Sequence, residues 1–92
     1  MNKAYYFKSP NCVVCESLLP KIEAHIKSQY PLLEWEVIEV DRYPDTAAQF
    51  HVFTAPTLLV FFEGKEYFRW VRNFSVGEID HRLKRVYDLM FD

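Results

Sequence analysis

Cys12-Val13-Val14-Cys15 carries the only two cysteines of this 92-residue chain and lies where a short apolar strand pattern gives way to a helical one. Side chains three positions apart share one face of a helix, so the two sulfurs can meet and form a disulfide. The unpaired N–H groups and partial positive charge of a helix N-terminus stabilise the thiolate of the leading Cys12. The pattern therefore predicts a dithiol that opens and closes a disulfide reversibly.

Length and composition indicate one domain over residues 1–92. Half of the residues are apolar and 17% are aromatic, which excludes a disordered chain. A net charge of -2, with both signs scattered, favours neither a nucleic-acid nor a membrane partner. The longest apolar run, residues 55–62, is far shorter than the roughly 20 residues of a membrane-spanning helix.

The first residues lead directly into a strand pattern with no small-residue cleavage site, which predicts no signal peptide and a cytoplasmic location. Thiols are kept reduced in that compartment. A C-x-x-C pair there is therefore more often catalytic or metal-binding than a structural cross-link.

Hydrophobic periodicity predicts elements in the order β-α-β-α-β-β-α. Strands are expected over residues 3–8, 34–40, 57–62 and 66–71, and helices over 12–30, 45–50 and from a cap at Ser75 to residue 90. Glu63-Gly64-Lys65 predicts a tight turn between the last two strands. The core-facing residues of the first and last helices are expected to be Leu19, Ile22, Ile26 and Tyr30, and Ile79, Leu83, Val86 and Met90.

This order of elements around the cysteine pair resembles the thioredoxin superfamily, and thioredoxins more than glutaredoxins. Pro20, five residues after Cys15, matches the proline that kinks the active-site helix of thioredoxins. The resemblance covers roughly residues 4–91. Further matches lie in the segment that leads to the family's cis-proline, in the strand after that proline and in the hairpin that follows. They are Asp41, Pro44, Thr46, Ala47, Phe50, Val52, Pro56, Thr57, Leu58, Leu59, Val60, Phe61, Gly64 and Lys65.

The resemblance implies an α/β fold with a four-stranded mixed sheet in the order 2-1-3-4 and helices on both faces. It implies that Cys12 is the nucleophile and Cys15 the resolving thiol, with no cofactor beyond their reversible disulfide. It also implies a cis peptide bond before Pro56 that exposes the backbone of Ala55 to substrate. The predicted substrate groove comprises Pro10, Asn11, Val13, Val14, Ala55, Pro56 and Arg72.

Several positions depart from the thioredoxin pattern. The apolar Val13-Val14 pair stands where Gly-Pro is usual, which predicts mild thiolate stabilisation and a reducing potential, with Lys8 as an added cation. Tyr6 stands where thioredoxins carry a buried acid that assists proton transfer, and core packing is the favoured interpretation over a catalytic phenol. Arg72 stands where thioredoxins carry a small glycine after the last strand. The arginine either favours acidic partners or is a solvated residue at the strand end.

The active-site strand is expected to be the first of the chain, without the strand and helix that precede it in thioredoxins. The second strand would then lie at an open sheet edge, where Glu34, Glu36 and Glu39 discourage pairing between molecules. One sheet face would be thinly covered. The excess of aromatic residues either fills that space or forms a docking surface, and the sequence leaves both open.

The leading prediction is a monomeric enzyme of cell redox homeostasis that reduces protein disulfides and receives electrons from a reductase. The first alternative is a non-catalytic interaction or redox-sensor module with the same fold. The second is a zinc site shared between two copies, because one cysteine pair supplies only half of a tetrahedral ligand set. The three histidines, His25, His51 and His81, are interpreted as surface residues or as residues with structural partners.

Overall fold

Seven helices and strands follow one another in the computed structural model, which describes all of residues 1–92. Their bounds are β1 Lys3–Lys8, α1 Val13–Gln29, β2 Glu34–Glu39, α2 Pro44–Gln49, β3 Thr57–Phe62, β4 Lys65–Val71 and α3 Val76–Met90. This order is the predicted one; β1, β3 and α3 have the predicted bounds, and the ends of the other elements differ by at most one residue. None of the helices is long and apolar enough to cross a lipid bilayer.

The strands form a single four-stranded mixed sheet in the order β2-β1-β3-β4, which confirms the predicted topology. β1 pairs parallel with β2, because α1 carries the chain across the sheet between them, and β3 pairs antiparallel with both β1 and β4. The turn between β3 and β4 consists of Glu63 and Gly64, whose φ angles are both positive, at 53° and 80°. Two such residues form the tight turn whose twist matches that of the flanking strands.

The larger core lies between the sheet and the helices α1 and α3. Its fully buried side chains are Ala4, Tyr6, Ile22, Ile26, Leu58, Val60, Phe62, Ile79 and Leu83. Tyr87 takes the place in this core that the periodicity assigned to Val86 and Met90, which are only partly buried. Its hydroxyl accepts a hydrogen bond from the Leu32 amide at 3.0 Å. This hydrogen bond gives the buried hydroxyl a partner, so Tyr87 can lie on the same inward face of α3 as Ile79 and Leu83.

Aromatic side chains fill the second, smaller core on the opposite face of the sheet, beneath α2. The Tyr5 ring lies 4.7 Å from that of Phe50 and 5.5 Å from that of Phe61, measured between centroids. Arg69 fixes the end of α2, because its guanidinium donates to the carbonyls of Phe50 and His51 at 2.6 and 2.8 Å. These contacts support the space-filling role for the aromatic residues on this face.

Acidic side chains lie along the open sheet edge, as predicted. Glu34 and Glu36 of β2 are exposed, and Glu36 forms an ion pair with Lys3 of the neighbouring β1. A charged edge of this kind opposes strand pairing between molecules.

The half-buried carboxylate of Asp80 links α3 to the C-terminal part of α1. Asp80 Oδ1 accepts a hydrogen bond from the Tyr30 hydroxyl and lies 2.7 Å from His25 Nε2. Burial opposes ionisation, but the hydrogen bonds from Tyr30 and His25 outweigh it and hold the pKa of Asp80 below its usual value. The Tyr30 pKa is raised, first by burial and then by its bond to Asp80. His25 thus has a structural partner, in agreement with its predicted role.

We expect Asp80→Asn to lower the free energy of unfolding at pH 7 by about 1 kcal/mol, a value reduced for solvent screening because 37% of the side chain is exposed. A carboxyl with a lowered folded-state pKa stabilises above its unfolded pKa of about 3.9 and loses that contribution as the pH falls through the folded value. The difference in the free energy of unfolding between the wild type and Asp80→Asn should therefore vanish towards acid pH. Urea unfolding from pH 7 downward measures it, with the exposed Asp41→Asn as control. An equal loss at acid pH would contradict the ionic origin.

Candidate active site

Cys12 caps the N-terminus of α1, which begins one residue later, at Val13. Its backbone is extended (φ -98°, ψ 99°), and its sulfur accepts a hydrogen bond from the Cys15 amide at 3.1 Å. Ser, Thr or Asp side chains make this contact at ordinary helix starts. An amide donor and the helix dipole both favour negative charge on the sulfur. The local geometry therefore supports a thiolate at Cys12.

The two cysteines are joined by a disulfide, with their Cα atoms 5.2 Å apart. This separation lies within the usual range for disulfides. The two residues differ in access, since Cys12 is partly exposed while Cys15 is completely buried. That difference favours Cys12 as the sulfur that meets a substrate.

Pro56 lies beside the cysteine pair at the entry to β3, after a cis Ala55–Pro56 peptide bond. A shallow groove of about 280 Å³ is lined by Cys12, Val14, Ala55, Pro56, Arg72 and Asn73. Neither the N–H nor the C=O of Ala55 takes part in a backbone hydrogen bond. Both groups are available to an extended chain laid in the groove, as in other cases of strand addition.

The structure brings together four of the seven predicted groove residues with Cys12 and leaves out three. Pro10 and Asn11 form the exposed turn before α1, and Val13 is 83% exposed outside the groove. Successive helical side chains project about 100° apart, so Val13 cannot share the direction that places Val14 against Pro56. Asn73, which the sequence analysis missed, enters the groove because it follows Arg72 directly; its only signal was its place after the last strand.

Arg72 holds a left-handed backbone conformation, which suits the glycine that the resemblance to thioredoxins implies at this position. Its φ is 69°, in the left-handed region that side-chain-bearing residues rarely adopt. Its amide donates to the Pro56 carbonyl at 2.7 Å, which fixes the end of β4 against the cis-proline. The left-handed turn therefore belongs to the groove itself, and here it presents an arginine.

Tyr6 lies under the active site, and its phenol points at the backbone of the buried cysteine. The side chain is fully buried, and its hydroxyl donates to the Cys15 carbonyl at 2.9 Å. Burial and, secondarily, the charge of Glu16 raise the pKa of Tyr6 to about 12. The phenol stays protonated near neutral pH, so it anchors Cys15 rather than accepting its proton. The structure agrees with the packing interpretation of this residue.

Lys8 does not act as the free cation expected near Cys12. Its ammonium lies 3.2 Å from a carboxylate oxygen of Glu16, in the first turn of α1. The glutamate offsets much of the field that Lys8 would exert on a nearby sulfur. The amide of Cys15 and the helix terminus remain as the groups that favour a thiolate.

None of the three histidines lines the groove. His51 and His81 are exposed and contribute no side chain to the groove. No group of three or more His, Cys, Asp and Glu side chains is placed to hold a metal ion. A zinc site would therefore need ligands from outside the chain.

A mixed sheet whose first strand leads to an N-capping C-x-x-C pair beside a cis-proline defines the thioredoxin class. The family model for thioredoxin matches residues 5–85. The chain belongs to the thioredoxin family, and its cysteine pair supports thiol–disulfide redox chemistry.

The relatives agree with this assignment. Thioredoxin 1 from Thermosipho africanus superposes with a TM-score of 0.86 at 36% identity, over 98% of this chain and 99% of that one. The thioredoxin-like protein YdfQ of Bacillus subtilis is 36% identical over 84 residues, which is 91% of this chain and 74% of that protein. Fasciola hepatica thioredoxin shares the fold, with a TM-score of 0.73 at 24% identity over 97% of this chain and 80% of that one.

Proposed function

We propose that this protein reduces protein disulfides by thiol–disulfide exchange through Cys12 and Cys15. The observation that carries the proposal is the placement of the two sulfurs. The Cys12 sulfur sits at the start of α1, within hydrogen-bond distance of an amide, while Cys15 is buried and within bonding distance of it. One sulfur can thus attack a substrate while the other stays protected until the second step.

The exchange takes place in two steps, which together transfer two electrons from the protein to the substrate. The Cys12 thiolate attacks one sulfur of the substrate disulfide and bonds to it, and the other substrate sulfur leaves with the electron pair and takes a proton. Cys15 then loses its proton and attacks Cys12 Sγ, and the second substrate sulfur leaves as a thiolate. The substrate gains two electrons, and the protein ends with the Cys12–Cys15 disulfide present in the structure.

The cycle needs a partner that reduces the protein again. We assign this role to a reductase that attacks the Cys12–Cys15 disulfide, with the protein acting as a monomer and without a bound cofactor. A reducing compartment such as the cytoplasm suits this direction of electron flow. The available backbone groups of Ala55 support binding of an extended segment of a protein substrate.

Dithiothreitol-driven reduction of insulin tests the proposal directly. The wild-type protein is expected to accelerate insulin reduction, and Cys12→Ser is expected to reduce it no faster than dithiothreitol alone, because no other exposed thiol remains. Gln29→Ser, at the exposed far end of α1, serves as control and should keep the wild-type rate. Equal rates for the wild type and Cys12→Ser would contradict the proposal.

A redox-sensor module is the second candidate, and the environment of Tyr6 favours it. The phenol donates to the Cys15 carbonyl and has a pKa of about 12, so it offers no base to the buried thiol. Slow release of the Cys15 proton would allow the disulfide to form without rapid turnover. A glutathione redox titration separates the candidates: a well-defined Cys12–Cys15 couple together with insulin reduction at the background rate would support the sensor.

A further inference from the structure

Arg72 carries the only formal charge among the residues that line the groove. The residue is exposed, and its guanidinium takes part in no hydrogen bond or ion pair. Arg69 and Arg42, by contrast, are paired with Glu66 and Glu39. The charge at the groove is therefore uncompensated by the protein itself.

The backbone fixes the point from which the Arg72 side chain extends. The Arg72 amide donates to the Pro56 carbonyl at 2.7 Å, and the Asn73 amide donates to the Val71 carbonyl at 2.9 Å. With its φ of 69°, Arg72 sits in a tight turn held at both ends. The base of the side chain thus has a fixed position across from the cis-proline, and the residue is exposed to solvent.

A substrate chain paired with Ala55 would pass close to this position. Ala55 precedes Pro56, and the Pro56 carbonyl is the group that Arg72 contacts. Residues in an extended strand advance by roughly 3.3 Å each, and successive side chains alternate in direction. An arginine side chain therefore reaches substrate residues within about two positions of the reacting cysteine.

We propose that Arg72 is a specificity-determining residue that directs this protein to disulfides flanked by an acidic side chain. The inference rests on the proposed exchange at Cys12 and names the substrate class for it. The guanidinium acts on binding and on the encounter with the substrate, because complementary charge at a rim chiefly raises the association rate. It does not take part in the chemistry of sulfur exchange.

Three peptides that differ in one residue test this proposal. Each carries one cysteine as a mixed disulfide with 2-thiopyridine and has Glu, Gln or Lys two positions from that cysteine. Attack by Cys12 forms a bond to the peptide sulfur, breaks the peptide–thiopyridine bond and releases 2-thiopyridone, which stopped-flow absorbance follows. The second-order rate constants should fall in the order Glu, Gln, Lys, with roughly two- to five-fold between neighbours, as for an exposed charge pair.

Two variants and a salt series separate Arg72 from the general charge of the protein. Arg72→Glu should reverse the order of the peptides, and Arg72→Gln should remove it. Lys65→Gln, at the exposed first residue of β4, changes the net charge by the same amount as Arg72→Gln, and it should keep the wild-type order. Raising the salt concentration to about 1 M, where the screening length is about 3 Å, should compress the differences.

The outcomes distinguish this inference from the proposed function. Equal rates for all three peptides with the wild type at low salt would overturn the role of Arg72 while leaving disulfide exchange intact. The same follows if Arg72→Gln keeps the wild-type order. Failure of the wild type to react with even the Gln peptide would overturn the proposed exchange at Cys12, and the inference with it.

Discussion

Replacing Cys15 with serine is expected to leave the protein covalently joined to its substrate. Cys12 stays partly exposed at the start of α1 and can still form the mixed disulfide. The second step then has no internal thiol, because the chain has no third cysteine. The mixed disulfide should therefore accumulate to near one equivalent, while turnover in the insulin assay falls to the background rate.

Mass spectrometry under non-reducing conditions measures this trapping. Cys15→Ser mixed with the 2-thiopyridyl Gln peptide should gain the mass of one peptide, and dithiothreitol should remove it. The matched Cys12→Ser variant should gain none, since its remaining cysteine is completely buried. The opposite result, an adduct on Cys12→Ser and none on Cys15→Ser, would exchange the roles of the two cysteines.

Most of the fold was predictable because the two central strands, β1 and β3, are short, largely buried runs with clear boundaries. β3 starts after Pro56 and ends at a turn whose Gly64 permits positive φ, so its bounds follow from local chemistry. α1 was predicted one residue too long at each end. The prediction placed Cys12 inside the helix, but in the structure Cys12 is the N-cap. The sequence did not reveal this because thiols are not among the usual capping groups.

Tertiary partners decided what periodicity could not. Tyr87 and Val86 are adjacent on α3, and hydrophobicity alone favours the valine for the core. The Tyr87 hydroxyl instead finds the Leu32 amide, and its ring packs against that of Tyr30 at 4.9 Å. A polar aromatic residue can therefore be buried when its hydroxyl has a partner, and that partner lies more than fifty residues away.

The site was predictable only as far as its motif extends. Cys12, Cys15 and Pro56 follow from the motif and the resemblance. The pairing of Lys8 with Glu16 depends on how the end of β1 faces the first turn of α1, which spacing alone does not fix. Asn73 and the contacts of Arg69 with α2 depend on the position of β4 in the sheet. These features become visible only when distant segments are placed together.

The largest expected effect on stability is at Tyr6. The side chain is fully buried and stacks on Trp35, with ring centroids 6.2 Å apart. Tyr6→Ala should lower the free energy of unfolding by about 3–5 kcal/mol, as for other large aromatic residues in cores. This is a large part of the roughly 5–15 kcal/mol that holds a small domain together. Tyr6→Phe keeps the ring and should lose about 1 kcal/mol, the contribution of one hydrogen bond.

Comparing Tyr6→Phe with the wild type also decides whether the phenol takes part in proton transfer. Because the pKa of Tyr6 is about 12, the hydroxyl does not titrate in the range where the cysteines react. Single-turnover release of the peptide thiol, followed from about pH 6 to 9, should give the same pH profile for both proteins. Urea unfolding in parallel should show the stability loss. If Tyr6→Phe shifts the profile, or slows release by about tenfold or more, the hydroxyl serves the chemistry of Cys15 and not only its position.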